Sequence, residues 1–422
     1  MTATDSPVRT DEAFALERDA ADPLAPQRER FAIPLGPDGS PAVYLAGQSL
    51  GAQPKSARDA VEAELDNWAR LGVEGHFHEG ATWVAFDEPL RGPTARLVGA
   101  LPDEVATMNT LTVNLHLLMA SFFRPSGGRD RILIDAPTFP SDRYAVESQL
   151  RHHGLDPAEH LVVVGPREGE STVRTEDLEA AIHDQRDRLA VALLAGVNYA
   201  TGQVLDIPRL TAAVHEVGAL AGWQLAHSAG NVPLALHDWD VDFAMWCTYK
   251  YLCGGPGSIA QIFVNRRHGS DPDLPRLTGW WGNAAATRFR MAATFEPGAG
   301  ADGWRMSNPP ILALAPVRAA MAIFDEVGMA ALRAKSLEMT PYLAALIDAV
   351  GGVEIITPRD PDAHGCQLSL RLSDARARLD RLEAAGVIVD FREPDIIRVA
   401  PVPMYNTFHD AWRFARALSE TA

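Results

Sequence analysis

Cysteine is almost absent from this chain. Cys247, Cys253 and Cys366 are the three in 422 residues. A sparse, odd-numbered set builds no disulfide framework, and no Cys-x-x-Cys spacing points to zinc, so no metal is expected. Such thiols are expected as small buried hydrophobes in a reducing compartment. Basic charge is short as well: 38 Lys plus Arg stand against 55 Asp plus Glu, a formal net charge of −17. A chain this acidic lacks the electrostatic footprint of a duplex-binding protein, and anionic membrane surfaces repel it. No apolar run approaches the roughly 18 residues of a membrane span. The opening MTATDSPVRTDEAFALERDAAD is acidic and has no apolar signal core. The expectation is a soluble cytoplasmic protein without nucleic-acid or membrane partners.

What is present is an ordinary globular composition, 47% hydrophobic and 22% charged, which excludes wholesale disorder. At about 100–200 residues per domain, two or three domains are allowed. The first residues suggest an arm: a charged helix over about 10–30, then a Pro- and Gly-rich stretch to Gly51. Apolar residues recur at helical spacing in SARDAVEAELDNWARL, 56–71. From about residue 89, helices alternate with short apolar strands, RILID, LAVALLAGV, one ending near Gln224, DFAMW and SIAQIFVN. Such alternation predicts an α/β fold with a mostly parallel sheet. After Ser307 two long helices are followed by short strands around a helix, which suggests a smaller α+β domain. The expected division is an arm at 1–55 packing with the small domain, a large domain at 56–309 and a small domain at 310–422.

Six features carry chemistry, each with a plainer reading beside it. Lys250 follows an apolar strand in CTYKYLCGGPG, among Trp246, Tyr249 and Tyr251. Desolvation makes a lysine amine nucleophilic and suits it to capture carbonyls; the alternative is a solvated strand-end lysine. NTLT, 109–112, precedes an apolar helix and forms either a phosphate cup or a simple cap. In TFPSDRY, Phe139 can stack on an aromatic ring and Asp142 can pair with a cation, or they pack and cap a helix. His227 in QLAHSAGN sits near a strand's C-terminal end, where α/β sheets place ligands, yet a lone histidine there is commonly structural. RMSNPP, 305–310, joins the two expected domains, where pockets form. Arg398 in IIRVAPVP is suited to a carboxylate, though arginine is mostly a surface residue. Together they match what pyridoxal phosphate needs: an amine for its aldehyde, a phosphate cup, a ring-stacking face and an acid for its nitrogen.

The segments LAGQSLG, NTLTVNLHLLMASFF, FPSDRYAVESQL, ATGQVLDIP, LAHSAGNVPLALHDWDVDFAMWCTYKYL, RMSNPPIL and IRVAPVPMYN resemble the kynureninase family, in order, from about Tyr44 to the C-terminus. The resemblance implies a fold-type-I pyridoxal-phosphate enzyme: a large domain with a mostly parallel, seven-stranded-type sheet and a small α+β domain. It implies a cytoplasmic homodimer that hydrolyses kynurenine, 3-hydroxykynurenine or a ring-substituted analogue to alanine and an anthranilate, in tryptophan degradation and NAD biosynthesis. Carried over by motif, Lys250 binds the cofactor aldehyde and takes the substrate α-proton, and Tyr249 touches the phosphate and helps protonate the product. Leu111 and Thr112 hold the phosphate, Phe139 stacks on the ring, and Asp142, Ala195, Gln224 and His227 surround it. Trp280 and Asn308 match positions the neighbouring subunit contributes. Arg398 matches the residue that grips the α-carboxylate, and His76, Ser307 and Asn308 match positions facing the substrate's aromatic ring.

Three residues depart from the family pattern: Gln224 replaces the aspartate of D-L-A-H, Ala195 a usual serine, and Gln48 a usual asparagine. A neutral amide cannot supply the charge that keeps a pyridine nitrogen protonated. Three consequences stand open: Asp142 takes over through Gln224; the pocket serves another amino acid or lyase chemistry; or catalysis is weak. Desulfurase chemistry would need a reactive cysteine on a mobile loop, for which Cys366 is the remote candidate.

Overall fold

In the computed structural model, which describes residues 9–80, 82–269, 271 and 273–420, a seven-stranded sheet forms the centre. Its strands are β1 (Val105–Thr107), β2 (Arg131–Asp135), β3 (Leu161–Val164), β4 (Leu189–Ala195), β5 (Leu220–Gln224), β6 (Phe243–Trp246) and β7 (Gln261–Val264). They lie side by side in the order β1-β7-β6-β5-β4-β2-β3. Strands β2 to β6 pair in parallel, and β7 is antiparallel to both of its neighbours. The α/β class and mostly parallel sheet expected from the sequence are what forms.

The apolar strands are covered on both faces, which is why they show no polar alternation. Side chains still alternate between faces. Ile132, Ile134, Val191 and Leu193 pack with helices Leu111–Phe122 and Pro140–His152. Leu133, Ala192 and Leu194 turn to the other face, in one core with Leu178 of Thr175–Asp184 and Leu210 of Ile207–Glu216. This arrangement sets the C-terminal ends of β2, β4, β5 and β6 along one edge, where their loops meet.

A second core lies beyond the sheet. Helices Met329–Val350 and Phe408–Glu420 pack on a four-stranded antiparallel sheet made of Glu354–Ile355, Leu368–Arg371, Ile396–Val399 and Asp390–Arg392, in that order. Ala15, Val43 and Leu45 from the N-terminal segment join this core. Helix Ile311–Val327 packs in the large core through Leu314, Val317 and Met321, while Met329–Val350 contributes Leu332 to the large core and Met339, Leu343 and Ile347 to the second.

The single helix expected over 10–30 is broken. The helix runs Glu12–Ala20, with the Asp11 carboxylate accepting from the Phe14 N–H at 2.9 Å, and a 3-10 turn follows at Ala25–Arg30. Pro23 and Pro26 forbid a continuous helix because proline lacks an N–H and clashes with the preceding turn. Among the described residues, no helix is long and apolar enough to cross a membrane, and no group of three His, Cys, Asp or Glu side chains is placed to hold a metal.

Candidate active site

Lys250 lies in the turn after β6. Its Nζ is 2.9 Å from His227 Nε2 and 5.8 Å from the centre of the Phe139 ring. Burial pulls the lysine pKa below its usual value, and the nearby Arg398 adds to this. Burial, then the Lys250 charge, pushes His227 well below the ordinary histidine range. Both groups are thus biased toward neutrality. The other lysines do not compete: Lys55 is exposed, and Lys335 is buried in an ion pair with Asp22 at 2.7 Å. The Lys250 turn is braced by Gly51, whose N–H donates to the Tyr249 carbonyl at 2.8 Å. A methyl group on Gly51 would fall 2.3 Å from the Lys250 carbonyl oxygen, so only glycine fits there.

The N-terminus of helix Leu111–Phe122 opens into the same pocket. Thr110 is its cap residue, but no side chain caps the helix. The first intrahelical bond runs from the Asn114 N–H to the Thr110 carbonyl at 2.9 Å, leaving the earlier N–H groups for a ligand. Thr112 Oγ1 lies 2.8 Å from Ser141 Oγ, and Tyr249 and Ser258 line the pocket beside them. Burial raises the Tyr249 pKa, so its hydroxyl stays protonated. Amide and hydroxyl donors at a helix N-terminus form an anion site.

The opposite wall is acidic and buried. Asp135 accepts from the Ala195 N–H at 2.9 Å and from Asn198 Nδ2 at 3.3 Å. Gln224 Nε2 donates to Asp142 Oδ2 at 3.0 Å, and Gln224 Oε1 accepts from the Ala226 N–H at 3.0 Å. Desolvation raises both carboxyls to about 6. Ala195 and Gln224 are register neighbours on β4 and β5, which explains why both border this wall.

Arg398 is 1% exposed, and its guanidinium is held on three sides. It donates to Asp390 at 2.7 and 3.0 Å, to the Tyr199 carbonyl at 2.7 Å and to Ser49 Oγ at 3.0 Å. The Tyr199 ring meets Phe139 edge-on, with centroids 5.2 Å apart, and so links Arg398 to the pocket. The buried Gln48 donates to the Arg398 carbonyl at 3.3 Å.

The structure thus gathers Leu111, Thr112, Phe139, Asp142, Ala195, Gln224, His227, Tyr249 and Lys250 around two adjoining pockets. Trp280, Ser307 and Asn308 are exposed, and His76 packs edge-on against Trp83 with centroids 5.5 Å apart; none of these four lines either pocket within the chain. Ser141, Ser258, Asp135, Tyr199 and Asp390 were missed from the sequence. Ser141 lies inside FPSD, between Phe139 and Asp142; the others become neighbours only through folding. The three cysteines are buried, and burial pushes the Cys366 thiol up to about 12, which is unlike a nucleophile on a mobile loop.

Pyridoxal phosphate presents an aldehyde, a phosphate and a ring nitrogen, and the half-buried Lys250 amine, the uncapped helix start and Asp142 Oδ1, which has no partner among the described residues, suit these three ends. The fold is similar to that of a C-DES mutant with glycine covalently linked to its pyridoxal-phosphate cofactor (TM-score 0.76, 17% identity, covering 93% of this chain and 98% of that one). It is equally similar to the cysteine desulfurase CsdA from Escherichia coli (TM-score 0.76, 16% identity, 94% and 98%). The chain therefore has the fold shared by these two structures.

A family model for the kynureninase C-terminal domain matches residues 332–418. Kynureninase from Salinispora tropica is 53% identical over 421 residues, covering 97% of each chain. The Myxococcus xanthus kynureninase is 52% identical over 410 residues, 96% of each. The chain belongs to the kynureninase family.

Proposed function

We propose that this enzyme hydrolyses kynurenine, or a ring-hydroxylated kynurenine, to alanine and an anthranilate. The observation that carries the proposal is Lys250, a half-buried amine 2.9 Å from His227 at the mouth of an uncapped helix. Bound pyridoxal phosphate supplies the aldehyde that receives the substrate amine and the electron sink next to its α-carbon. Leu111, Thr112 and Tyr249 would hold its phosphate, Phe139 would lie against its ring, and Asp142, Ala195, Gln224 and His227 would enclose the rest. Arg398, kept rigid by Asp390, takes the α-carboxylate. Lys250, biased to the neutral amine, accepts the α-proton. One water adds at the γ-carbonyl, the Cβ–Cγ bond breaks, and its electron pair remains with Cβ. The Tyr249 hydroxyl, held protonated by burial, delivers a proton to Cβ and regains one from the added water, and Lys250 returns its proton to Cα, so that kynurenine and water become alanine and anthranilate.

The working form proposed is a homodimer in which Trp280 and Asn308 reach the neighbouring copy's cofactor, and His76, Ser307 and Asn308 meet the substrate's ring. Exposed Phe77, Trp280, Phe289 and Met291 support this, as a clustered apolar surface invites a partner. The proposed division is an arm at 1–55, a large domain at 56–309 and a small domain at 310–422; Ala15 and Leu45 in the second core support the arm's place, while helix Ile311–Val327 packs in the large core and bridges the boundary at 310. The setting proposed is the cytoplasm, in tryptophan degradation toward NAD. The test supplies pyridoxal phosphate and kynurenine and reads anthranilate fluorescence together with alanine. Equimolar products that vanish in Lys250→Ala are expected; cofactor uptake with no turnover of kynurenine or 3-hydroxykynurenine would overturn the proposal.

A further inference from the structure

We infer that Asp142, anchored by Gln224, is the counter-ion of the cofactor's ring nitrogen. The inference rests on the pyridoxal-phosphate reading above.

Gln224 has one orientation that satisfies its surroundings. The Ala226 N–H points at one end of the amide, 3.0 Å away, and that end must be the oxygen. The amide nitrogen then meets Asp142 Oδ2 at 3.0 Å. The flipped amide would set a donor against a donor and an oxygen against a carboxylate. Gln224 is therefore a neutral brace that spends its oxygen on the backbone and an N–H on the acid.

Two carboxyls border this wall, and one of them is already committed. Asp135 uses Oδ1 on the Ala195 N–H and Oδ2 on Asn198. Asp142 is 5% exposed, and its Oδ1 has no hydrogen-bond partner among the described residues. A buried carboxylate oxygen without a donor is costly, and a cationic N–H is its best complement. Two ends of pyridoxal phosphate already have groups suited to them, the aldehyde in Lys250 and the phosphate in the helix start. The remaining polar end able to offer a charged N–H is the ring nitrogen. Gln224 is a positioning residue: by holding Oδ2, it leaves Oδ1 free for the ring.

The test reconstitutes the cofactor-free protein with pyridoxal phosphate carrying 15N in the ring and follows its NMR shift across pH, with Asp135, Lys250 and His227 facing the same wall. Borohydride trapping on Lys250 is scored separately, so that a failure of the pyridoxal-phosphate reading is seen as such. A pyridinium signal is expected at neutral pH. Asp142→Asn is expected to lower the ring's proton affinity by about 100-fold, as loss of an adjacent opposite charge does. Gln224→Leu, of similar shape but without the N–H, is expected to lower it about tenfold, and this variant decides if Asp142→Asn does not retain cofactor. A neutral pyridine in the unaltered protein, or a pyridinium unchanged in either variant, would overturn the assignment.

Discussion

Lys250 Nζ and His227 Nε2 lie 2.9 Å apart, and both groups are driven toward their neutral forms. A histidine so placed accepts from the lysine without adding positive charge beside it. Replacing it with phenylalanine keeps a ring but removes the acceptor. His227→Phe is expected to weaken pyridoxal-phosphate binding by about 10-fold, the value of roughly one to two hydrogen bonds. Fluorescence titration of the cofactor-free protein checks this, and an unchanged affinity would deny the histidine a part in seating the cofactor.

Arg398 is held by Asp390, Ser49 and the Tyr199 carbonyl. Asp390→Asn leaves the guanidinium in place but loosens its aim. An increase in KM of about 10–100-fold with a smaller change in kcat is expected, from the loss of hydrogen bonds to a charged group. Arg398→Lys is expected to be at least as damaging, because an ammonium cannot reproduce the planar fork. Steady-state kinetics with kynurenine separates the two parameters.

Much of this site was legible before folding, because its key residues sit at punctuation points of the sequence. Lys250 follows the apolar run of β6, and Thr112 opens an apolar helix. The bond from Gln224 to Asp142 was not legible as geometry: it joins residues 82 apart and exists because β5 ends beside the start of helix Pro140–His152. The capture of Asp135 by the Ala195 N–H likewise depends on strand order. The antiparallel direction of β7 left no mark in its residues, since a strand buried on both faces has the same pattern in either direction.

Asp135 and Asp142 are both raised to about 6 by desolvation. Their folded forms hold protons that the unfolded chain has released, so the cofactor-free protein is expected to lose stability as pH rises from about 4 to about 6. One such carboxyl shifted by ~2 units is worth about 3 kcal/mol. Above pH 6 its contribution to the slope ends. Asp135→Asn is expected to flatten part of this slope in urea titrations across that window, and a slope of opposite sign would contradict the burial argument.

Lys335 pairs with Asp22 at 2.7 Å and donates to the Asn406 carbonyl at 2.7 Å, tying the N-terminal segment to the second core. Both side chains are almost fully buried. Lys335→Met leaves Asp22 without its cation and is expected to cost about 3–5 kcal/mol. Lys335→Met combined with Asp22→Leu is expected to recover most of that loss. Denaturant midpoints of the two variants make the comparison.

Which amine captures the cofactor decides the role of Lys250. Lys55, Lys250 and Lys335 are the lysines of this chain, so the answer can be read directly. Borohydride reduction of the protein loaded with pyridoxal phosphate, followed by peptide mass mapping, is expected to place the pyridoxyl group on Lys250. A label on Lys55 or Lys335, or an unlabelled Lys250 peptide from fully loaded protein, would contradict it.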